Sequence, residues 1–135
     1  RAYETACIIR GSRDTEIVKD ERLIEIGFGL YEGTVVEERK GSIALFFDDP
    51  QNYVAEKGAE SYESLLARTK EFLEDVLFTI EEKEPDATIL ISGYGALNKA
   101  LFLHLLDKQL KDFWSGVYQG NCAVNKFEIK MEMCA

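Results

Sequence analysis

Proline occurs twice and cysteine three times among these 135 residues, with one histidine and one tryptophan. Two prolines and ten glycines are too few for a collagen-like or linker chain. Cys7, Cys122 and Cys134 are odd in number, widely spaced and without a CxxC pair. They make a poor disulfide framework, and with a single histidine beside them no metal site is expected. Free cysteine is most often small core filler, so a reducing cytoplasm is the expected location and none of the three is expected to be catalytic. Long apolar runs are missing as well. Ala44-Leu45-Phe46-Phe47 falls far short of the roughly 20 residues of a membrane span, and the start of the sequence predicts neither a signal peptide nor a transit segment. Positive charge is scarce, with 16 Lys and Arg against 25 Asp and Glu for a net charge of −9. Unguided attraction to nucleic acid or to an anionic membrane is therefore not expected, while a local basic pocket stays open.

What is present is a core. Hydrophobic residues make up 46% and charged residues 30% of the chain, a balance in which apolar burial offsets chain entropy and disorder is excluded. The length allows a single domain over residues 1–135. Residues 1–10 carry a helical stripe of Tyr3, Ala6, Cys7 and Ile9, with Gly11 as its stop. Glu16-Ile17-Val18 is a short strand candidate, and residues 23–26 lead into a glycine-punctuated loop ending at Gly33. Short helices are expected over 35–39 and 43–49. The clearest helix runs from Ser61 to about Glu82, where Tyr62, Leu65, Leu66, Thr69, Phe72, Leu73, Val76, Leu77 and Ile80 share one face. Ser61 is its N-cap and Glu63 suits the dipole of its first turn. Residues 87–92 form an unalternating β-branched run, which predicts a strand buried on both faces and parallel to its neighbours. Gly93-Tyr94-Gly95 turns into a second buried helix from Ala96 to about Leu106, and Phe113-Trp114 sit on a further short helix. Residues 122–131 alternate as a half-exposed strand near a sheet edge. Strands alternating with long helices predict an α/β protein, a three-layer α/β/α sandwich with a mostly parallel sheet.

Three places invite chemistry. The strand-turn-helix over 89–106 puts free N–H groups and a helix dipole at the carboxyl edge of the expected sheet, a place suited to an anion. Every βα turn favours glycine, so an ordinary turn is the alternative. In the loop over 23–33, Glu25 stands between large apolar residues, a setting that suits a general acid. The alternative there is a plain loop carboxylate. His104 lies about two and a half turns beyond Tyr94 on the same helix, too far along to serve a site at its start, and reads as a core or surface histidine.

Taken in order, the segments resemble a family. Arg1-Ala2-Tyr3-Glu4-Thr5-Ala6 is similar to the second half of the Ser-x-x-x-Arg-Ala-x-x-Thr-Ala segment of the histidine phosphatase superfamily, the phosphoglycerate mutase-like proteins. The loop carrying Glu25, Phe28, Gly29, Tyr31, Glu32 and Gly33 resembles its Leu-Arg-Glu-Ile-x-Phe-Gly-x-Trp-Glu-Gly. Asp49-Pro50 and then Gly58-Ala59-Glu60-Ser61 resemble the Gly-Gly-Glu-Ser that precedes its long helix. Residues 89–100 resemble its strand followed by His-Gly-Ala and a helix. Phe113-Trp114 and Asn121-Cys122-Ala123-Val124 resemble the closing Phe-Trp and Asn-Cys-Ser-Val.

The resemblance implies a phosphoglycerate mutase-like sandwich whose chemistry runs through a phosphohistidine on phosphomonoesters, without metal or other cofactor. The Arg-His-Gly strand that bears the family's nucleophile has no counterpart in the sequence, so an N-terminally incomplete domain is expected, its N-terminal strand missing. The family's second histidine falls on Tyr94, whose phenol donates one hydrogen bond but carries no positive charge. Carried over, Arg1 is a phosphate clamp, Glu25 the general acid, and the Gly95 and Ala96 amides face the phosphate. A small phosphorylated metabolite or phosphate is then the partner. Two readings stay open: an enzyme of this family that is inactive as these residues stand, or a degenerate non-catalytic member that serves as an anion-binding or protein-interaction domain. Unpaired strand edges predict association, with a homodimer among its forms.

Overall fold

Helices carry the fold of the computed structural model, which describes residues 1–34, 41–56, 58–116 and 119–130. In chain order they are α1 (Ala2–Arg10), α2 (Ser42–Asp48), α3 (Tyr62–Phe72), α4 (Thr79–Lys83) and α5 (Gly95–Leu105). A π-helical stretch, Leu73–Phe78, joins α3 to α4 without a break. The expected helix from Ser61 to Glu82 is thus present, and its start is fixed as the sequence requires: Ser61 Oγ accepts the Ser64 N–H at 3.1 Å, satisfying a first-turn amide. Single 3-10 turns, Glu21–Leu23, Gly29–Tyr31, Pro50–Asn52 and Leu110–Asp112, shape the connections.

α3 and α5 form the central pair. Leu65 and Thr69 of α3 and Leu97 and Ala100 of α5 are fully enclosed, each buried Leu stabilising by about 2 kcal/mol. The core extends on one side through Ile26, Ile43, Phe46 and Phe113, and on the other through Phe72, Leu73, Leu77 and Leu101. Phe46 stacks on Tyr62 with ring centroids 4.9 Å apart. The polar tips of this aromatic cluster are satisfied: Tyr62 Oη donates to the Phe46 carbonyl at 2.6 Å, and Trp114 Nε1 donates to the same carbonyl at 2.7 Å. These bonds tie α2, α3 and the segment after Leu110–Asp112 into one body.

The sheet is where expectation and structure part. Among the described residues the only β pairing is an antiparallel bridge between Phe28 and Ala59, so the parallel sheet of the expected sandwich is not formed there. Residues 88–92 join no ladder. Ile91 packs on the Phe72–Leu101 cluster, whereas Ile89 is 39% and Leu90 59% exposed. The expected two-faced burial requires paired strands on both sides and a layer over each face, and among the described residues no strand pairs with this segment. Residues 16–18 form no strand, and Val18 is exposed. Over 125–130 the expected alternation is present, with Asn125, Phe127 and Ile129 half-buried and Lys126, Glu128 and Lys130 exposed, but again without a ladder. α1 forms and stops at Gly11, yet it buries no residue, and Tyr3 and Ile9 of its apolar stripe stay about half exposed. The short helix expected over 43–49 appears as α2, and Phe113-Trp114 follow a 3-10 turn instead of lying on a helix. The helix expected over 35–39, Cys134 and Met131 lie outside the described residues.

Candidate functional site at the start of α5

An α-helix begins with N–H groups that have no partner inside it. In α5 the residue at the N-cap is Tyr94, extended at φ −121° and ψ 169°, and its side chain supplies no cap. Glu25 supplies one from far away in sequence. Its Oε1 accepts the Leu97 N–H at 2.9 Å and its Oε2 the Ala96 N–H at 3.2 Å, while Oε1 also accepts the Ile26 N–H at 3.0 Å. A carboxylate at this position is favoured twice, by hydrogen bonds and by the helix dipole.

The start of α1 lies against the same place. The Ala2 N–H donates to Tyr94 Oη at 3.4 Å, and Ser92 Oγ donates to the Ala2 carbonyl at 2.7 Å. Ala2 of α1 and the N-cap of α5 therefore meet at Tyr94. Of the residues singled out in the sequence, Glu25, Tyr94, Gly95 and Ala96 come together here, and Arg1 precedes the Ala2 that contacts Tyr94. The Arg1 side chain itself is 92% exposed and grips nothing. The Ala96 amide is occupied by the chain's own carboxylate.

The space around the turn is unequal. A Cβ on Gly93 would lie 2.7 Å from Asn98 Oδ1 and 3.0 Å from Leu97 Cδ2, so a larger residue there has to displace these two side chains of α5. Gly95 has nothing within 4 Å of that position and opens on solvent. Lys99, one turn further along, is buried, and its Nζ donates to the Ser115 carbonyl at 3.0 Å. Burial pushes its ammonium below the ordinary lysine range.

His104 stands apart from this site, as its position on the helix predicts. Its Nε2 is 2.9 Å from the Leu66 carbonyl and 3.2 Å from Thr69 Oγ1. A carbonyl can only accept, so Nε2 carries the proton and the ring fastens α5 to α3. Cys7 and Cys122 are free thiols. Among the described residues no group of three His, Cys, Asp or Glu side chains is placed to hold a metal ion.

Sequence reasoning assigned no role to Ser92, Glu60 or Arg68. Arg68 clasps Glu60 through two parallel bonds, Nε to Oε1 at 2.8 Å and Nη2 to Oε2 at 2.9 Å, and its Nη1 donates to the Arg22 carbonyl at 2.6 Å. Burial alone would raise the Glu60 carboxyl, but the Arg68 and Ser64 hydrogen bonds, the Arg68 charge and the neighbouring backbone bond together hold it below the usual range. The signals for this pair in the sequence are the family-like Gly58-Ala59-Glu60-Ser61 segment and the place of Arg68 two turns into the helix that follows it.

The comparisons with known proteins agree with the geometry. The profile of the histidine phosphatase superfamily (branch 1) matches residues 1–135. Phosphoserine phosphatase 1 of Hydrogenobacter thermophilus is 31% identical over 121 residues, which is 85% of this chain and 54% of that protein. A second protein of the same bacterium is 31% identical over 136 residues, 98% of this chain and 63% of its own length. The chain thus spans less than two thirds of either relative. The solved structure of Bacillus stearothermophilus YhfR superimposes with a TM-score of 0.74 at 30% identity, covering 87% of this chain and 58% of that one. With a family profile matched from end to end and a solved relative of the same shape, the chain belongs to the histidine phosphatase superfamily.

Proposed function

We propose that the start of α5 takes a phosphate-type anion, inorganic phosphate or the head of a small phosphomonoester, and that residues 1–135 by themselves do not hydrolyse it. The observation that carries this reading is the start of α5 at Tyr94, whose side chain supplies no cap and whose hydroxyl meets Ala2 of α1. In it the Gly95 and Ala96 amides face the anion, Tyr94 donates one hydrogen bond from the place of the family's second histidine, and the exposed Arg1 side chain supplies a guanidinium clamp. Glu25 is the general acid that protonates a leaving oxygen where the family's nucleophile is available. Membership in the superfamily and the phosphoserine phosphatase name of a relative support a phosphomonoester as the class of substrate. The family's phosphohistidine chemistry needs an imidazole at phosphorus. The single histidine of this sequence, His104, is bound to Leu66 and Thr69 between helices, which supports inactivity. Free Cys7 and Cys122 support a reducing, cytoplasmic setting.

A second reading has its own observation. Glu25 already holds the Ala96 and Leu97 amides, so the site is self-filled, as befits a non-catalytic protein-interaction domain. Titration with phosphate and with vanadate, followed by amide NMR, separates the two. The first reading expects shifts at Ala2, Gly95 and Ala96, weakened in Arg1→Ala. It also expects affinity to rise roughly fivefold in Tyr94→His, where an imidazolium replaces a neutral donor, worth about 1 kcal/mol. Silence of these amides refutes it. An aryl phosphate assay is expected to show no turnover, and turnover abolished by Glu25→Gln would overturn the claim of inactivity.

A further inference from the structure

We propose that Glu60 and Arg68 are positioning residues that hold Glu25 on the start of α5. This rests on reading Glu25 as the carboxylate of the site. Glu25 sits on a loop, and a loop carboxylate keeps a fixed relation to amides on another element only if its backbone is held. Here it is held on both sides. Three residues before Glu25, the Arg22 carbonyl accepts Arg68 Nη1 at 2.6 Å. Two residues after it, the Gly27 carbonyl accepts the Glu60 N–H at 2.7 Å. The two anchors are locked to each other by the paired Arg68–Glu60 bonds, with Ser64 Oγ donating to Glu60 Oε1 at 3.0 Å. The Phe28–Ala59 bridge continues the strap, and Ile26 is buried at 2% exposure directly beside Glu25.

The chemistry of the pair fits the task. Both side chains are only 19% exposed, so solvent does not compete freely for their bonds. A guanidinium has donors enough to grip a carboxylate with one edge and a carbonyl with the other, which a lysine ammonium cannot do in a fixed plane. The Arg68 side chain leaves α3 to reach the Arg22 carbonyl, a bond that serves the loop before Glu25 and not the helix.

The test needs neither anion nor turnover, so it stands or falls apart from the proposed function. Ala96 and Leu97 are first-turn amides without a helical acceptor, and their protection from hydrogen exchange reports Glu25. In Arg68→Lys and in Glu60→Gln their exchange is expected to quicken about tenfold, while Leu101 and Leu103 in the same helix change less than about twofold. Glu25→Ala gives the reference for a lost cap. Unchanged exchange at Ala96 and Leu97 overturns the proposal. Equal acceleration along all of α5 also overturns it, because the pair then serves general stability and not the placement of Glu25.

Discussion

At the scale of single residues, the site depends on two small facts of space and bonding. Glu25 caps α5 through two of its amides. Replacing it by alanine leaves both N–H groups short of a partner in a half-buried place. The expected loss is about 1–3 kcal/mol, read from urea denaturation. Glycine has opposite meanings at the two ends of the turn. At Gly93 the added methyl collides with Asn98 and Leu97, and Gly93→Ala is expected to cost roughly 1–3 kcal/mol. At Gly95 the methyl meets nothing, and Gly95→Ala is expected to stabilise by about 0.4–1 kcal/mol through a less flexible unfolded chain. Equal effects at the two positions would show that the turn is set otherwise.

At the scale of elements, α3 and α5 are joined by packing and by one imidazole. His104→Ala removes the bond to Leu66 and leaves a void between the helices, at an expected cost of about 1–3 kcal/mol. Phosphate titration should be indifferent to it, since His104 is about 15 Å along the helix from Tyr94. The Glu60–Arg68 strap adds a pH dependence. Glu60 has a folded-state pKa below its unfolded one, so its contribution is complete above about pH 4.3 and is lost as pH falls through the lower folded value. Asp20, held low chiefly by its hydrogen bond from Arg22, contributes in the same direction. Urea midpoints measured from neutral pH downward should therefore fall in acid, and fall less steeply in Glu60→Gln. An unchanged slope in that variant would remove Glu60 from the account.

At the scale of the whole molecule, the open edge over 88–92 governs behaviour. Its backbone joins no ladder, Leu90 is exposed, and Ile89 lines a groove with Leu77, Ile80, Glu81, Phe127 and Ile129. Exposed apolar backbone outside any ladder templates pairing with another chain. The chain is expected to self-associate with rising concentration in light scattering, and Leu90→Lys, which places a charge on the edge, is expected to suppress this. A monodisperse monomer whose amides over 88–92 exchange slowly would contradict both expectations.

Local chemistry was enough for some of this. Ser61 marks a helix start because a hydroxyl there satisfies an amide, and the apolar period behind it fixes which face of α3 is buried. The ordered segments around Arg1, Glu25, Ser61 and Tyr94 identify the family, and the place of His104 along its helix already removes it from the site. Other properties belong to tertiary structure alone. Glu25 caps α5 across 71 residues of sequence, and Arg68 reaches Arg22 across 46. No local pattern specifies such pairs, because their partners are backbone groups common to every residue. Residues 88–92 and the stripe of α1 show the same limit from the other side. Hydrophobicity states what a segment would bury, but burial itself is conferred by neighbours, and for Leu90 the described residues supply none on its outer face.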